Sequence, residues 1–222
     1  METENVSKDP PLHLESIIRI SAATSVEKAL EEAEIWNTVN ESHNATAPPV
    51  TAPPSLSAVA WNKPDVGIVK CNIGSSWVAN GSISGSSWIT RDHQGQSLHH
   101  SRRAYPFSPT KRRADLLSLL WAVESMVNMK QRNVLFESSS IELRETLLYP
   151  DRFPEVHDLL DTLAGLLPRL GTWSLCYIWR SRNNVATSIA VTIIRDHRTQ
   201  SYVAQGAPFW LREMVHQESL GA

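Results

Sequence analysis

Five cations stand just ahead of a carboxylate: Arg102, Arg103, Lys111, Arg112 and Arg113 precede Asp115. Cations grouped on one loop can hold phosphate oxygens by charge alone, without reading a base sequence. The same grouping is equally a solvated basic loop. Asp115 is placed where a helix begins, and a carboxylate there gains from the helix dipole whether or not it ligates anything. Glu137 closes a strand-like run and is a second acid able to turn toward the same end of the sheet. Asp92 reads as a turn residue, and Asp196, beside Arg195 and Arg198, as a surface ion pair. Of the 8 tryptophans, Trp88, Trp121 and Trp173 lie in periodic stretches and read as core. Trp77, after Gly74-Ser75-Ser76, is the candidate for stacking on a base. His99 and His100 are adjacent in a strand, so their rings point to opposite faces and cannot clamp one metal. No Ser-His-Asp or Cys-His pattern has a recognisable context, and no phosphate-cradling glycine loop is present.

The elements that must position these residues follow from periodicity. Val66 to Ile73 alternates and is β-branched, Ser86 to Arg91 and Gln96 to Ala104 flank a turn at Asp92-His93-Gln94-Gly95, and each reads as a strand. Leu116, Leu119, Leu120, Val123, Met126 and Val127 make one helical stripe. Asn133 to Glu137 is a strand and Ser140 to Leu148 a helix; Pro154 opens another helix, lined by Val156, Leu159, Leu160 and Leu163. Trp173 to Trp179 is the fifth strand, and a last helix, capped by Asn183 or Asn184, turns Val185, Ala186, Ile189 and Ile193 inward. The first 60 residues differ. Thr24-Ser25-Val26-Glu27 is a capping box ahead of an amphipathic helix, and residues 37–57 are rich in Thr, Ala, Ser and Pro, as an extended linker is. The expected division is 1–60 as extension and 61–222 as the folded domain.

Composition narrows the function classes. With 21 Lys plus Arg against 23 Asp plus Glu, the net charge of −2 excludes a histone-like polycation. A 41% hydrophobic content supports a packed core. Cys71 and Cys176 are too few for a disulfide framework or a cysteine-rich zinc site. No apolar run approaches the roughly 20 residues that span a bilayer. Met1 to Pro10 lacks an apolar signal core, so the expectation is an intracellular protein, nuclear or cytoplasmic, not secreted.

Trp61-x-x-Pro64-x-x-Gly67-x-x-Lys70-Cys71-Asn72 resembles the start of the plant RNase H-like domain, a ribonuclease H-like type carried by non-LTR retroelements and host genes derived from them. Ala114-Asp115-Leu116-Leu117 with Trp121-Ala122, Phe136-Glu137-Ser138-Ser139-Ser140 and Arg182-Asn183-Asn184-Val185-Ala186 are similar to that family in the same order. The resemblance spans Trp61 to Leu211. It implies an α/β fold of the RNase H type, with a five-stranded mixed sheet flanked by helices, and an RNA–DNA hybrid ribonuclease holding two Mg²⁺ about 4 Å apart. The family's Asp, Glu, Asp, Asp pattern falls on Gly74, Asp115, Ser139 and Thr187. Asp115 is then the one retained acid, with Glu137 as a conceivable added ligand. Two divalent ions need several carboxylate oxygens converging on one point, and one carboxylate does not neutralise them. The resemblance therefore implies a retroelement-derived nucleic-acid-binding pseudoenzyme with no resident cofactor, its partner an RNA–DNA hybrid or duplex. The alternatives are an active ribonuclease H with Mg²⁺ on Asp115 and unrecognised acids, and a non-catalytic protein-interaction scaffold. No membrane contact or small-molecule cofactor is expected.

Overall fold

Alternation along Val69–Ser76 sends Cys71 and Ile73 to one side of the sheet and Lys70 and Asn72 to the other, and this strand, β1, is the spine of the molecule. The computed structural model describes residues 61–220; the expected helix after Thr24 and the linker over 37–57 lie outside the described residues. From β1 the chain runs through β2 (Ile83–Arg91), β3 (Ser97–Pro106), α1 (Lys111–Asn128), β4 (Asn133–Ser138), α2 (Ile141–Leu148), α3 (His157–Leu166), β5 (Thr172–Tyr177), α4 (Asn184–Arg195), β6 (Tyr202–Gln205) and α5 (Arg212–Leu220). The sheet order is β5-β4-β1-β2-β3-β6. β1, β2 and β3 pair antiparallel, β4 and β5 join in parallel, and β6 adds antiparallel to β3.

The sheet has six strands among the described residues, one more than the sequence reading predicts. β6 is only four residues long with alternately exposed side chains, too short to announce itself. It is held by backbone pairing to β3 and by the Arg102 guanidinium 5.0 Å over the Tyr202 ring. Asp92 makes the expected turn, its carboxylate accepting from the backbone N–H of Gln94 and Gln96 at 2.9 Å each, with Gly95 at φ +83°.

Helices α1, α2 and α3 bury their apolar stripes on one face, where Leu116, Leu119, Val123 and Met126 meet Ile73, Trp88, Phe136, Leu143 and Leu163. Helix α4 lies on the other face, and Val185, Ala186 and Ile189 pack with Ile89 and with Leu211 and Val215 of the C-terminal region. Helix α4 sits unusually close to the strands because two glycines face it. A Cβ on Gly74 would collide with the Ala186 carbonyl and lie 2.6 Å from Ser87 Oγ; one on Gly85 would lie 2.5 Å from the Ala190 carbonyl. No described helix is long and apolar enough to cross a membrane.

The α4 face also carries a buried polar network. Lys70 Nζ donates to Glu137 at 2.6 Å and to the Asn62 carbonyl at 2.7 Å, while Asn72 Nδ2 donates to the second Glu137 oxygen at 2.9 Å. Asn72 Oδ1 in turn accepts from Trp61 Nε1 and Arg91 Nη2, both at 3.0 Å. Arg91, fully buried, lies 3.6 Å over the Trp61 ring and pairs with Glu218 of α5 at 2.5 Å. The Trp61 to Asn72 motif thus has a physical meaning: together with Glu137 and Arg91, its polar members form one hydrogen-bonded network under the sheet.

Candidate functional site

Helix α1 begins at Lys111, capped by Thr110, whose hydroxyl accepts from the Arg113 N–H at 3.2 Å. Asp115 therefore lies in the second turn and not at the helix start, where the dipole would have been its main partner. Its side chain is 99% buried, and three donors converge on it. Lys111 Nζ is 2.6 Å from Oδ2, Ser140 Oγ donates to the same oxygen at 2.5 Å, and Ser75 Oγ donates to Oδ1. Lys111 also reaches Glu142 at 2.8 Å, so one ammonium bridges carboxylates from α1 and α2. Ser140 doubles as the N-cap of α2, accepting from Leu143 N at 3.0 Å.

These groups floor a cavity of about 380 Å³ whose walls include Ser75, Trp77, Ser139, Arg180 and Thr187. Trp77 is fixed by its Nε1 donating to the Ser108 carbonyl at 2.8 Å. Asn183 Nδ2 donates to Ser139 Oγ at 3.2 Å and to the Ile73 carbonyl at 2.8 Å, tying α4's start to β1 and to the residue that follows β4 in place of capping its own helix.

The expected site residues are distributed unequally. Asp115, Ser139 and Thr187 line the same cavity; Gly74 does not, because its open side faces Ala186, and Ser75 is the β1 side chain beside Asp115. Glu137 is on the opposite face, spent on Lys70 and Asn72, and does not join Asp115. Of the five cations, Lys111 alone enters the cavity. Arg112 lies 3.6 Å over Phe153, and Arg113 grips Asp158 with two hydrogen bonds at 2.7 and 3.0 Å. Arg102 donates to the Gln200 carbonyl at 3.2 Å, whereas Arg103 turns to Glu124 at 3.5 Å and to Trp121. Neighbours in a strand point to opposite faces, so Arg102 and Arg103 do not form one patch with the loop. Sequence reasoning missed Ser75, Ser140, Glu142 and Arg180. The i,i+4 spacing of Lys111 and Asp115 was a legible signal; the contact across to Glu142 was not, because it depends on how α2 docks. Among the described residues no three His, Cys, Asp or Glu side chains gather as a metal site.

With that arrangement established, the relationships of the chain follow. The reverse transcriptase-like family model matches residues 72–193, more than half of the sequence. The chain belongs to the reverse transcriptase-like family. No curated protein matches it. Among solved structures, this reverse transcriptase-like domain is similar to RNase H1 of the halophilic archaeon Halobacterium salinarum, at 15% identity over 58% of this chain and 98% of that one, TM-score 0.53. It is equally similar to LC11-RNase H1 in complex with an RNA/DNA hybrid, at 17% identity over 58% and 98%, TM-score 0.53. At these identities the likeness fixes the fold, which is RNase H-like, as the resemblance implies.

The charges of the Lys111 cluster set a pH window. Burial alone would raise the Glu142 carboxyl, but its hydrogen bonds and the Lys111 charge hold it below the usual range. Burial alone would lower Lys111, but Asp115 and then Glu142 hold its ammonium above the usual lysine range. The Glu142 contribution is present above the unfolded carboxylate range and lost as pH falls through its depressed value. That of Lys111 is present below the unfolded lysine range and lost as pH rises through its raised value. The melting midpoint of wild type relative to Lys111→Met is expected to be highest at neutral pH and to converge in acid and strong alkali; a difference independent of pH would contradict this assignment.

Proposed function

We propose that this chain is a retroelement-derived, RNase H-like nucleic-acid-binding protein whose two-metal site is degenerate and which has little or no nuclease activity. One observation carries the reading: the retained acid, Asp115, already accepts from Lys111, Ser75 and Ser140, while Ser139 and Thr187 stand beside it as neutral hydroxyls. A pair of Mg²⁺ ions calls for oxygen ligands with open lone pairs and enough negative charge to offset both ions. Asp115 and Glu142 supply −2, and Lys111 returns +1, leaving −1 among the three. The residues present do not fit that pair of ions, and no cleavage step is derived through them. The origin from a retroelement of the plant type rests on the motifs from Trp61 to Ala186.

Nucleic-acid binding is supported by the chemistry of the cavity: the Arg180 guanidinium, several hydroxyls, and a fixed tryptophan at the wall. Phosphate oxygens take hydrogen bonds from such groups without a metal, and bases stack on such rings. LC11-RNase H1 was solved with an RNA/DNA hybrid on the same fold, so a hybrid is the ligand to try first.

The test is binding and cleavage of a labelled RNA–DNA hybrid by the full chain, with Mg²⁺ and with chelator. Expected are affinity insensitive to chelator, a log–log salt dependence, and no cleavage. Arg180→Ala is expected to weaken binding and to reduce the salt slope by about 1. Arg113→Ala should leave affinity unchanged, since its guanidinium is committed to Asp158. Cleavage in Mg²⁺ abolished by Asp115→Asn would establish the active ribonuclease instead; no binding at low salt to hybrid or duplex would leave the scaffold.

A further inference from the structure

We infer that the Lys111 ammonium is a tethered cation that holds the place of a divalent metal at Asp115 and keeps such a metal out. The inference rests on the degenerate-site reading and gives its physical cause. Lys111 Nζ lies between Asp115 Oδ2 at 2.6 Å and Glu142 Oε2 at 2.8 Å, bridging oxygens of two separate helices. Bridging carboxylates from different elements is what a metal does in such a site, and here a side chain of the same chain does it.

Geometry favours the side chain over an ion from solution. Lys111 and Asp115 are four residues apart on α1, so the helix itself delivers the ammonium to the carboxylate and no translational entropy of a free ion is lost. Ser75 and Ser140 donate to the same carboxylate, so its lone pairs are directed at protein hydrogens. A divalent ion can reach Asp115 only by displacing Lys111 and turning both hydroxyls around. The ammonium supplies charge balance for a carboxylate that is almost wholly buried, which would otherwise be costly. It supplies no coordination position for an attacking water.

Removing the tether should therefore create an ion site. With Lys111 gone, Asp115 and Glu142 are unbalanced carboxylates facing one cavity with Ser75, Ser139, Ser140 and Thr187 around them. The experiment titrates Mn²⁺ into the full chain, with unbound Mn²⁺ followed by electron paramagnetic resonance and the fold by melting. Wild type should show no saturable uptake. Lys111→Met, and Lys111→Gln as a second variant, should bind one Mn²⁺ at least about tenfold more tightly than wild type. Adding Asp115→Asn to either should abolish the gain. Folded variants that gain no Mn²⁺ affinity overturn the tethered cation and leave the degenerate-site reading intact. Saturable Mn²⁺ uptake by wild type overturns it whether or not the variants melt cooperatively. Wild-type uptake accompanied by hybrid cleavage overturns the degenerate-site reading as well.

Discussion

Gly74→Asp, which places the family's acid back in β1, is expected to lower the melting midpoint by about 10 °C and to recruit no metal. The Cβ that aspartate requires falls on the Ala186 carbonyl and crowds Ser87 Oγ, which itself donates to that carbonyl at 2.6 Å. Ala186 is helix backbone, so relief demands that α4 lift from β1 and β2, breaking its packing on Ile89. Overpacking a core against an unyielding neighbour costs roughly 1–3 kcal/mol, and a carboxylate forced into a buried position without a partner adds to that. A total near 3 kcal/mol corresponds to the stated shift at about 2–4 °C per kcal/mol for a domain of this size. The carboxylate would also point away from Asp115, whose β1 neighbour is Ser75. Gly74→Ala should fall in the same direction, because the first added carbon makes the collision. A Gly74→Asp protein that melts like wild type and takes up Mg²⁺ would refute this placement of α4.

Glu137→Ala is expected to destabilise by about 3–5 kcal/mol, the cost of leaving one member of a buried ion pair without the other. Lys70 is only 3% exposed and would be left with the Asn62 carbonyl as its remaining hydrogen-bond acceptor. Asn72 would lose the acceptor for its amide and loosen its hold on Trp61 and Arg91. Glu137→Gln should recover part of the loss, since its carbonyl can still accept one of the two hydrogen bonds. The double change Lys70→Met with Glu137→Leu should cost less than either single truncation, because no charge is then stranded. Chemical denaturation of wild type, Lys70→Met and the variants above reads these differences directly. A Glu137→Ala change as mild as a surface substitution would show that water reaches the pair.

Much of this architecture could be read from the chain. The stripe from Leu116 to Val127, the alternation before Gly74 and the turn at Asp92 each have one packing solution, and the family motifs ordered them. The departures share a cause: each depends on what lies across from a residue. Whether Glu137 faces Asp115 or Lys70 is decided by the one-residue parity of β4, since Phe136 and Ser138 take the opposite side. Aligning an acid with Gly74 is a statement about sequence position, whereas the cavity is lined by the next residue, Ser75. The basic run looked like a patch because charge is visible in a sequence and its counter-charges, Asp158 and Glu124, are distant. Helix α5 offers little apolar periodicity and one buried side chain, Val215, so nothing local announces it.

Arg91 is where the two flanks of the domain meet: Trp61 covers its guanidinium from the N-terminal side and Glu218 neutralises it from the C-terminal side. The stretch of family likeness, residues 72–193, contains the arginine and neither of those partners. A fragment trimmed to that stretch would strand a cation under the sheet. Truncations designed on homology boundaries are therefore expected to melt well below a fragment spanning 61–218, which keeps both partners of Arg91.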